Sequence, residues 1–388
     1  MKKTLAAIEL IRVVKELKEN LINGKMNQIY VDFDRVNATK KEILLEFYVP
    51  NKGKQILRIL LPSLLYLTAT KPETPEKPDG YCLYLRKWLK NARVKDIEQL
   101  GAERIIKFTL EAKDPTKTEY TQVIYYLFLE LFSKGNMILC NNQDIILSPL
   151  EIEEWSERSI KPKEKYTYPK KEYNIFTMEE KDFVKAVEAS TKESVVTILA
   201  LDFGLGGVYA EEVCARAAIS KNTQKPAKEE ISSMFNALQK LIHAIETEPP
   251  VFIKKENKIE EVYPCTMQTK QAEQHAEISF LSALDFAMPF VLKKEMQQKE
   301  KQTNTVLEKL KIMIASQEKQ KEEFRIVYEK NQRIGNLIYE NYKKIEEILE
   351  QLNEARKRKS WQEIKKAIKD HKLIKQINEK NQEIVVEL

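Results

Sequence analysis

The sequence is short of glycine, of paired cysteine and of long apolar runs. No stretch of eighteen apolar residues occurs in the 388, so no segment is a candidate transmembrane helix. The four cysteines, Cys82, Cys140, Cys214 and Cys265, each stand alone in their segments. The three histidines, His243, His275 and His371, are equally scattered. With no CxxC pair and no His/Cys cluster, buried free thiols are expected, and neither a metal nor a cofactor. The opening Met1-Lys2-Lys3 leads into a helical pattern that carries charges, unlike a signal peptide, which predicts a cytoplasmic protein. Only 9 glycines beside 32% charged residues predict a helix-rich chain with ion-paired surfaces. A hydrophobic share of 43% argues against wholesale disorder, and the length suffices for two or three domains.

What is present is unevenly distributed. The formal net charge is +6, yet residues 1–290 are balanced, whereas residues 291–388 hold 23 basic and 17 acidic side chains. The excess narrows to residues 351–375, where Arg356, Lys357, Arg358, Lys359 and five further lysines face only Glu354, Glu363 and Asp370. Such a patch is either a solvated helical face or a surface for an acidic partner, and RNA or a ribonucleoprotein is the expected one.

Along the chain, residues 5–22 place Leu5, Ile8, Val13, Leu17 and Leu21 at near-helical spacing, stopped by Asn23-Gly24. MNQIYVDFDRV, KEILLEFYVP and KQILRILLPSLLYLTAT read as strands. The proline-rich KPETPEKPDG is a loop leading to a helix, YCLYLRKWLKN, and AERIIKFTLEAK, YTQVIYYLFLELF and GNMILCNNQDIILS read as further strands. An α+β domain with mostly antiparallel strands is expected over residues 1–175. Short helices follow, with a β-containing segment at PPVFIKKENKIEEVYPCTM, making a second region over 176–290.

From 291 to 355 one unbroken helix is expected. With Leu307 at position a, ten of the fourteen a and d positions over seven heptads are apolar or Tyr. At about 1.5 Å per residue it would reach roughly 90 Å. No second run of this kind occurs, so the seam either makes a homodimer or lacks its returning helix. Residues 356–388 read as the basic tip, a short helix and one strand.

Two local motifs carry chemistry. LALDFGLGGVYAEEVCARAAI has the form of a helix-hairpin-helix, in which Gly204 and Gly206 permit a tight turn and leave helix amides free to meet a phosphate. The same turn could be purely structural, and Glu211-Glu212 just downstream weakens the phosphate reading. In LYLRKWLKNARV, Arg86, Lys87 and Arg93 are expected as a basic stripe on one helix, and Glu103-Arg104 to open a strand. An ordinary surface salt bridge is the plainer reading of that pair.

Taken in order, LAAIELIRVVKEL, LRKWLKNARV with IEQLGAERIIKF, LELFSKGNMILC, WSERSIKPKEKYTYP, FGLGGVYAEEVCARA and FLSALDFAMPF resemble the NFACT family. That family includes NEMF of animals, RqcH of bacteria and the bacterial proteins long called fibronectin-binding protein A. The resemblance implies a glycosylase-like N-terminal domain, a helix-hairpin-helix domain and a coiled coil. It implies a non-enzymatic factor of ribosome-associated quality control that binds obstructed large ribosomal subunits carrying peptidyl-tRNA. Such a factor holds tRNA and supports untemplated C-terminal tailing of the stalled chain with alanine, the ribosome supplying the chemistry.

The family's Asp-Arg pair and first-helix Asp fall here on Glu103-Arg104 and Glu9, each carboxylate one methylene longer. The resemblance thus makes Glu9, Glu103 and Arg104 expected tRNA-binding residues; the basic residues Arg86, Lys87 and Arg93 are expected to join them, and Gly204 and Gly206 of the hairpin to give backbone contacts. It makes Arg356, Lys357, Arg358 and Lys359 the expected contacts with rRNA or a stalk protein. Lys2 and Lys3 stand where a glycosylase of this fold would need Pro and Glu, which argues against base excision. The family's returning helix and its C-terminal NFACT-R domain are not in the sequence, so an N-terminal fragment is expected. The rival readings are a fibronectin-binding adhesin, a glycosylase-type enzyme and a coiled-coil scaffold that binds nucleic acid without a tailing role or binds only proteins.

Overall fold

The computed structural model describes residues 4–33, 41–118, 121–155, 158–169, 173–255, 258–270, 274–275, 278–369, 371–378, 381 and 383–387. Lys2 and Lys3 therefore lie outside the described residues. The chain divides into two compact units, residues 1–296 and 297–388.

The first unit is built on a nine-stranded antiparallel sheet. Its strands are β1 (Lys25–Phe33), β2 (Lys41–Val49), β3 (Gly53–Leu60), β4 (Leu64–Thr68), β5 (Arg93–Gln99), β6 (Ile105–Lys113), β7 (Gln122–Glu130), β8 (Asn136–Asn141) and β9 (Ile146–Pro149), in the order β4-β3-β2-β1-β5-β6-β7-β8-β9. Within the strands β1 and β5 share the single register pair Lys25–Arg93, and backbone bonds of Asn23, Gly24 and Met26 with Asn91, Ala92 and Val94 complete this join between two meanders. The α+β expectation holds, with β5 as an addition and with KQILRILLPSLLYLTAT and GNMILCNNQDIILS each folding as two strands, β3 with β4 and β8 with β9. The segment after Asn91 (φ 57°) turns out of the helix α2 (Gly80–Leu89) into β5.

The helix α1 (Leu10–Leu21) buries Leu10, Val13, Val14, Leu17 and Leu21 on one face, the spacing an amphipathic helix requires. These residues join Phe47, Leu57, Phe108 and Leu127 from the strands in one core. The chain leaves α1 sharply. A Cβ on Gly24 would lie 2.8 Å from Val49 Cγ2, so only glycine fits there. A two-stranded hairpin, β10 (Glu153–Glu154) with β11 (Ser159–Ile160), follows the sheet.

A helical subdomain completes this unit. It comprises α3 (Glu180–Ala189), the short α4 (Val195–Thr197) running into a π-turn at Ile198–Asp202, α5 (Gly206–Arg216) and α6 (Lys228–Thr247). Phe183, Phe203, Leu238 and Leu241 fill its centre. A small sheet of β12 (Val251–Lys255), β13 (Lys258–Tyr263) and β14 (Gln274–His275) follows in the order β13-β12-β14. All four cysteines are buried and free. Among the described residues no helix is long and apolar enough to cross a membrane, and no group of acidic, His and Cys side chains could hold a metal.

The long helix differs from its expected form. It starts earlier, as α7 (Phe280–Glu340), and breaks at Asn341 before α8 (Tyr342–Arg358). At Asn341 the backbone departs from helical angles (φ −106°, ψ 17°), and the Leu337 carbonyl accepts both the Asn341 backbone amide at 3.2 Å and its side-chain amide at 3.0 Å. The amino end of α7 is capped from α1. Buried Glu16 accepts the Phe280 and Leu281 amides at 2.9 and 2.8 Å.

In the second unit, seam residues Leu310, Ile314, Phe324, Tyr328, Ile338 and Leu349 are exposed. Leu307, the origin of the heptad register, is among the side chains outside the description. The unit ends with α9 (Trp361–Ala367) and a hairpin of β15 (Ile374–Asn378) and β16 (Glu383–Val386), where one strand was expected. Ile348, Ile364, Ile374 and Ile377 close a small core there.

Candidate functional site

Four of the expected site residues, Glu9, Arg104, Gly204 and Gly206, line one cleft of about 470 Å³ in the first unit. Thr4, Tyr209, Glu261 and Tyr263 complete its polar lining.

One wall comes from the residues before α1 and from the turn between β5 and β6. Residues 101–104 form that turn, so Glu103-Arg104 precedes the strand rather than opening it. The Gln99 side-chain amide ties the two segments together. It donates to the Ala7 carbonyl at 2.9 Å and to the Glu103 carbonyl at 2.9 Å.

Arg104 is the cation of this wall. Its Nη2 donates to the Pro62 carbonyl at 2.9 Å, while its buried Nε has no acceptor among the described residues. Burial lowers the pKa of the guanidinium, and the nearby charge of Glu9 acts in the opposite sense. A partly desolvated cation with an orphaned donor favours an incoming anion.

The other wall is the amino end of α5. The π-turn is followed by Gly204 at φ 68° and Gly206 at φ 73°, left-handed positions where glycine carries no Cβ penalty. A Cβ on Gly206 or Gly207 would meet nothing within 4 Å, so the backbone is approachable there. The first amides of an α-helix lack intrahelical acceptors and carry the positive end of its dipole. Amides and guanidinium together suit a phosphate.

The carboxylates of the region are engaged. Tyr209 donates its hydroxyl to Glu9 Oε1, and the Ala6 amide donates to Oε2 at 2.8 Å. Tyr263 donates to Glu261 at 2.5 Å. Burial first, then the adjoining carboxylates, push both tyrosines well above their usual pKa, which keeps the hydroxyls as donors. The sequence-based objection from Glu211-Glu212 is removed. Neither lines the cleft; Glu211 pairs with Lys221 at 2.8 Å, and buried Glu212 binds Arg216 and the amides of Gln268 and Thr269.

The remaining expected residues lie elsewhere. Arg86, Lys87 and Arg93 do not share a helix, because α2 ends at Leu89 and Arg93 begins β5. Arg86 is structural in its contacts, with Nε donating to the Ile29 carbonyl at 2.8 Å and its guanidinium over the Tyr30 ring. Lys87 and Arg93 are exposed. Glu103 is half-buried and outside the cleft lining, although its neighbour is in it. Arg356, Lys357, Arg358 and Lys359 are exposed at the end of α8, with Arg356 stacked 5.5 Å over Trp361. Gln99, Tyr209, Glu261 and Tyr263 had no local signal in the sequence.

The chain is similar to the archaeal Rqc2 homolog aRqcH of Methanocaldococcus jannaschii, with 35% identity over 100% of this chain and 58% of the relative. It is 28% identical to the ribosome quality control complex subunit 2 of Saccharomyces cerevisiae over 38% of this chain and 13% of that one. It therefore spans less than two thirds of either relative. The N-terminal part of the fibronectin/fibrinogen-binding protein of Streptococcus suis has the same fold. The TM-score is 0.58 at 21% identity, over 75% of this chain and 100% of that one. Residues 7–385 match the NFACT N-terminal and middle domains, and the chain belongs to that family.

Proposed function

We propose that this chain works in ribosome-associated quality control, binding the obstructed large ribosomal subunit and engaging its tRNA as a non-enzymatic adaptor. The names of the archaeal and yeast relatives support the setting. The observation that carries the molecular reading is the convergence of Arg104 and the amino end of α5 on one cleft. A phosphodiester of tRNA would take the α5 amides and the Arg104 guanidinium at once, contacts that position RNA without reading its sequence. The basic end of α8 would supply a second, salt-sensitive contact with rRNA or a stalk protein. In this reading, tailing with alanine is ribosomal chemistry that the bound adaptor supports.

The test is co-sedimentation with large subunits and tRNA across a salt series. Arg104→Ala is expected to weaken tRNA binding about tenfold, the loss of roughly 1.4 kcal/mol of charge-assisted bonding. Neutralising Arg356, Lys357, Arg358 and Lys359 together is expected to flatten the salt dependence of subunit binding. Undiminished tRNA affinity in Arg104→Ala would refute the cleft as the tRNA site.

A further inference from the structure

Ile8 and Ala102 of the first wall pack in one core with Phe203 and Leu205 of the second, and a hydrogen-bonded pair of side chains adds to that packing. Glu9 ends the short turn Ala7–Glu9 on the first wall, and Tyr209 lies in the first turn of α5 on the second. The Tyr209 hydroxyl donates to one oxygen of Glu9 and the Ala6 amide to the other. Glu9 is 0% exposed and Tyr209 3%. A carboxylate whose two oxygens hold protein donors, with no accessible surface, is poorly placed to bond RNA.

We propose that Glu9 and Tyr209 form a positioning pair that sets the spacing between the α5 amides and Arg104, and that Glu9 is not itself an RNA contact. The proposal rests on the cleft being the tRNA site. Tyr209 follows Gly206 by three residues, so fixing its hydroxyl fixes the helix turn that carries the Gly206 and Gly207 amides. On the facing wall, Gln99 couples the Glu9 turn to the turn of Arg104 through the Ala7 and Glu103 carbonyls. The hydroxyl–carboxylate bond is therefore the polar link that, on top of this packing, sets the separation of amides and guanidinium. One phosphate can accept from both only if each lies within about 2.7–3.2 Å, so a shift near 1 Å breaks one contact.

This assignment also accounts for a glutamate at position 9. An aspartate is shorter by one methylene, about 1.5 Å. It could keep the Ala6 amide or reach the Tyr209 hydroxyl, but not both.

The test uses the 388-residue chain with Tyr209→Phe, Glu9→Asp and the double variant. Two quantities are read: affinity for an unmodified tRNA transcript, and the amide resonances of Gly206 and Gly207 recorded without RNA. Each single variant is expected to weaken binding about tenfold and to move both glycine resonances. The double variant is expected to be no weaker than the weaker single, because both changes cut the same link. Losses that multiply in the double variant, or glycine resonances unmoved in Tyr209→Phe, would overturn the proposal. Should Tyr209→Phe not fold, Glu9→Asp is judged by the same resonances. These are read without RNA, so they decide on the pair even where Arg104→Ala has gone against the tRNA reading.

Discussion

Replacing Glu16 by alanine removes the carboxylate that holds the start of α7 against α1. The wild-type side chain accepts from Phe280 N at 2.9 Å, Leu281 N at 2.8 Å and Arg12 Nε at 2.6 Å, and it is 4% exposed. Arg12 retains a partner, since Nη1 also donates to the Glu246 carbonyl at 2.7 Å. The two amides lose this acceptor, and a buried donor left without one costs about 1–3 kcal/mol. Loss of a helix cap alone is worth about 1 kcal/mol and overlaps with that figure. The expected loss for Glu16→Ala is about 3–5 kcal/mol, the range seen when one partner of a buried ion pair is removed. Glu16→Gln keeps one acceptor oxygen but turns an NH2 group toward the second amide, so about half that loss is expected. Urea unfolding gives the totals, and hydrogen exchange at Phe280 and Leu281 localises them. Alanine and glutamine variants of equal stability, or an alanine loss below about 1 kcal/mol, would refute the capping role.

Gly135→Ala is expected to reach the site from the far side. At φ 73° its Cβ would lie 2.9 Å from Pro62 Cα, and the Pro62 carbonyl is the acceptor that holds Arg104. A loss of about 1–3 kcal/mol is expected, together with weaker tRNA binding; tRNA affinity equal to wild type would separate Pro62 from the site. For Glu212, burial works to raise the carboxyl pKa. The amides of Gln268 and Thr269 and the Arg216 guanidinium outweigh it and hold the group below its usual 4.5. A folded pKa below the unfolded one means stability that is present above about pH 4.5 and lost as pH falls through the folded value. Glu212→Gln should therefore flatten the acid limb of stability against pH, and an unchanged slope there would count against the assignment. Burial pushes the thiol of Cys214 up to about 11 and that of Cys265 to about 12, and raises Cys82 and Cys140 as well. Iodoacetamide at pH 8 should leave all four unlabelled until the chain is unfolded; rapid native labelling of any one would contradict its burial.

Much of the fold could be read from periodicity. Alternation in β1 and β3, the apolar face of α1 and the helices at α3, α5 and α6 all follow from side-chain spacing, and the structure places elements there. The misreadings came where local chemistry overrides spacing. Strand β5 was hidden because RVKDIEQ carries four charges in seven residues and continues a helical pattern. What ends that helix is the left-handed turn at Asn91, a property of one residue. Similarly, the apolar seam of the long helix runs on through residue 341, and the period gives no sign of the break. The non-helical backbone angles of Asn341 and its side-chain bond to the preceding turn mark it. The seam is also wider than the two positions of a strict heptad. Met313, Val327 and Ile334 lie beside it and are exposed too, a breadth that suits packing into a bundle as well as a two-helix seam.

The cleft was legible only in halves. Arg104 and the Gly204/Gly206 turn each carry a local reason to meet an anion, but sequence spacing cannot show that residues a hundred positions apart share one wall-to-wall gap. Nor can it show what the nearby acids are doing. A carboxylate at about 4 Å repels a phosphate by about 4 kcal/mol at an effective dielectric constant near 20; neutral donors leave that charge in place but fix where it lies, and a cation offsets it. In this chain Glu9 holds the Ala6 amide and the Tyr209 hydroxyl, Glu261 holds the Tyr263 hydroxyl, and Glu212 holds two loop amides and Arg216. Each partner lies on the neighbouring backbone or is brought in by the fold. The acids that argued against phosphate in the sequence, Glu211 and Glu212, lie outside the cleft lining and pair with Lys221 and Arg216, whereas the charge of Glu9, inside it, is set against that of Arg104: an acid near an anion site is informative only together with its partner.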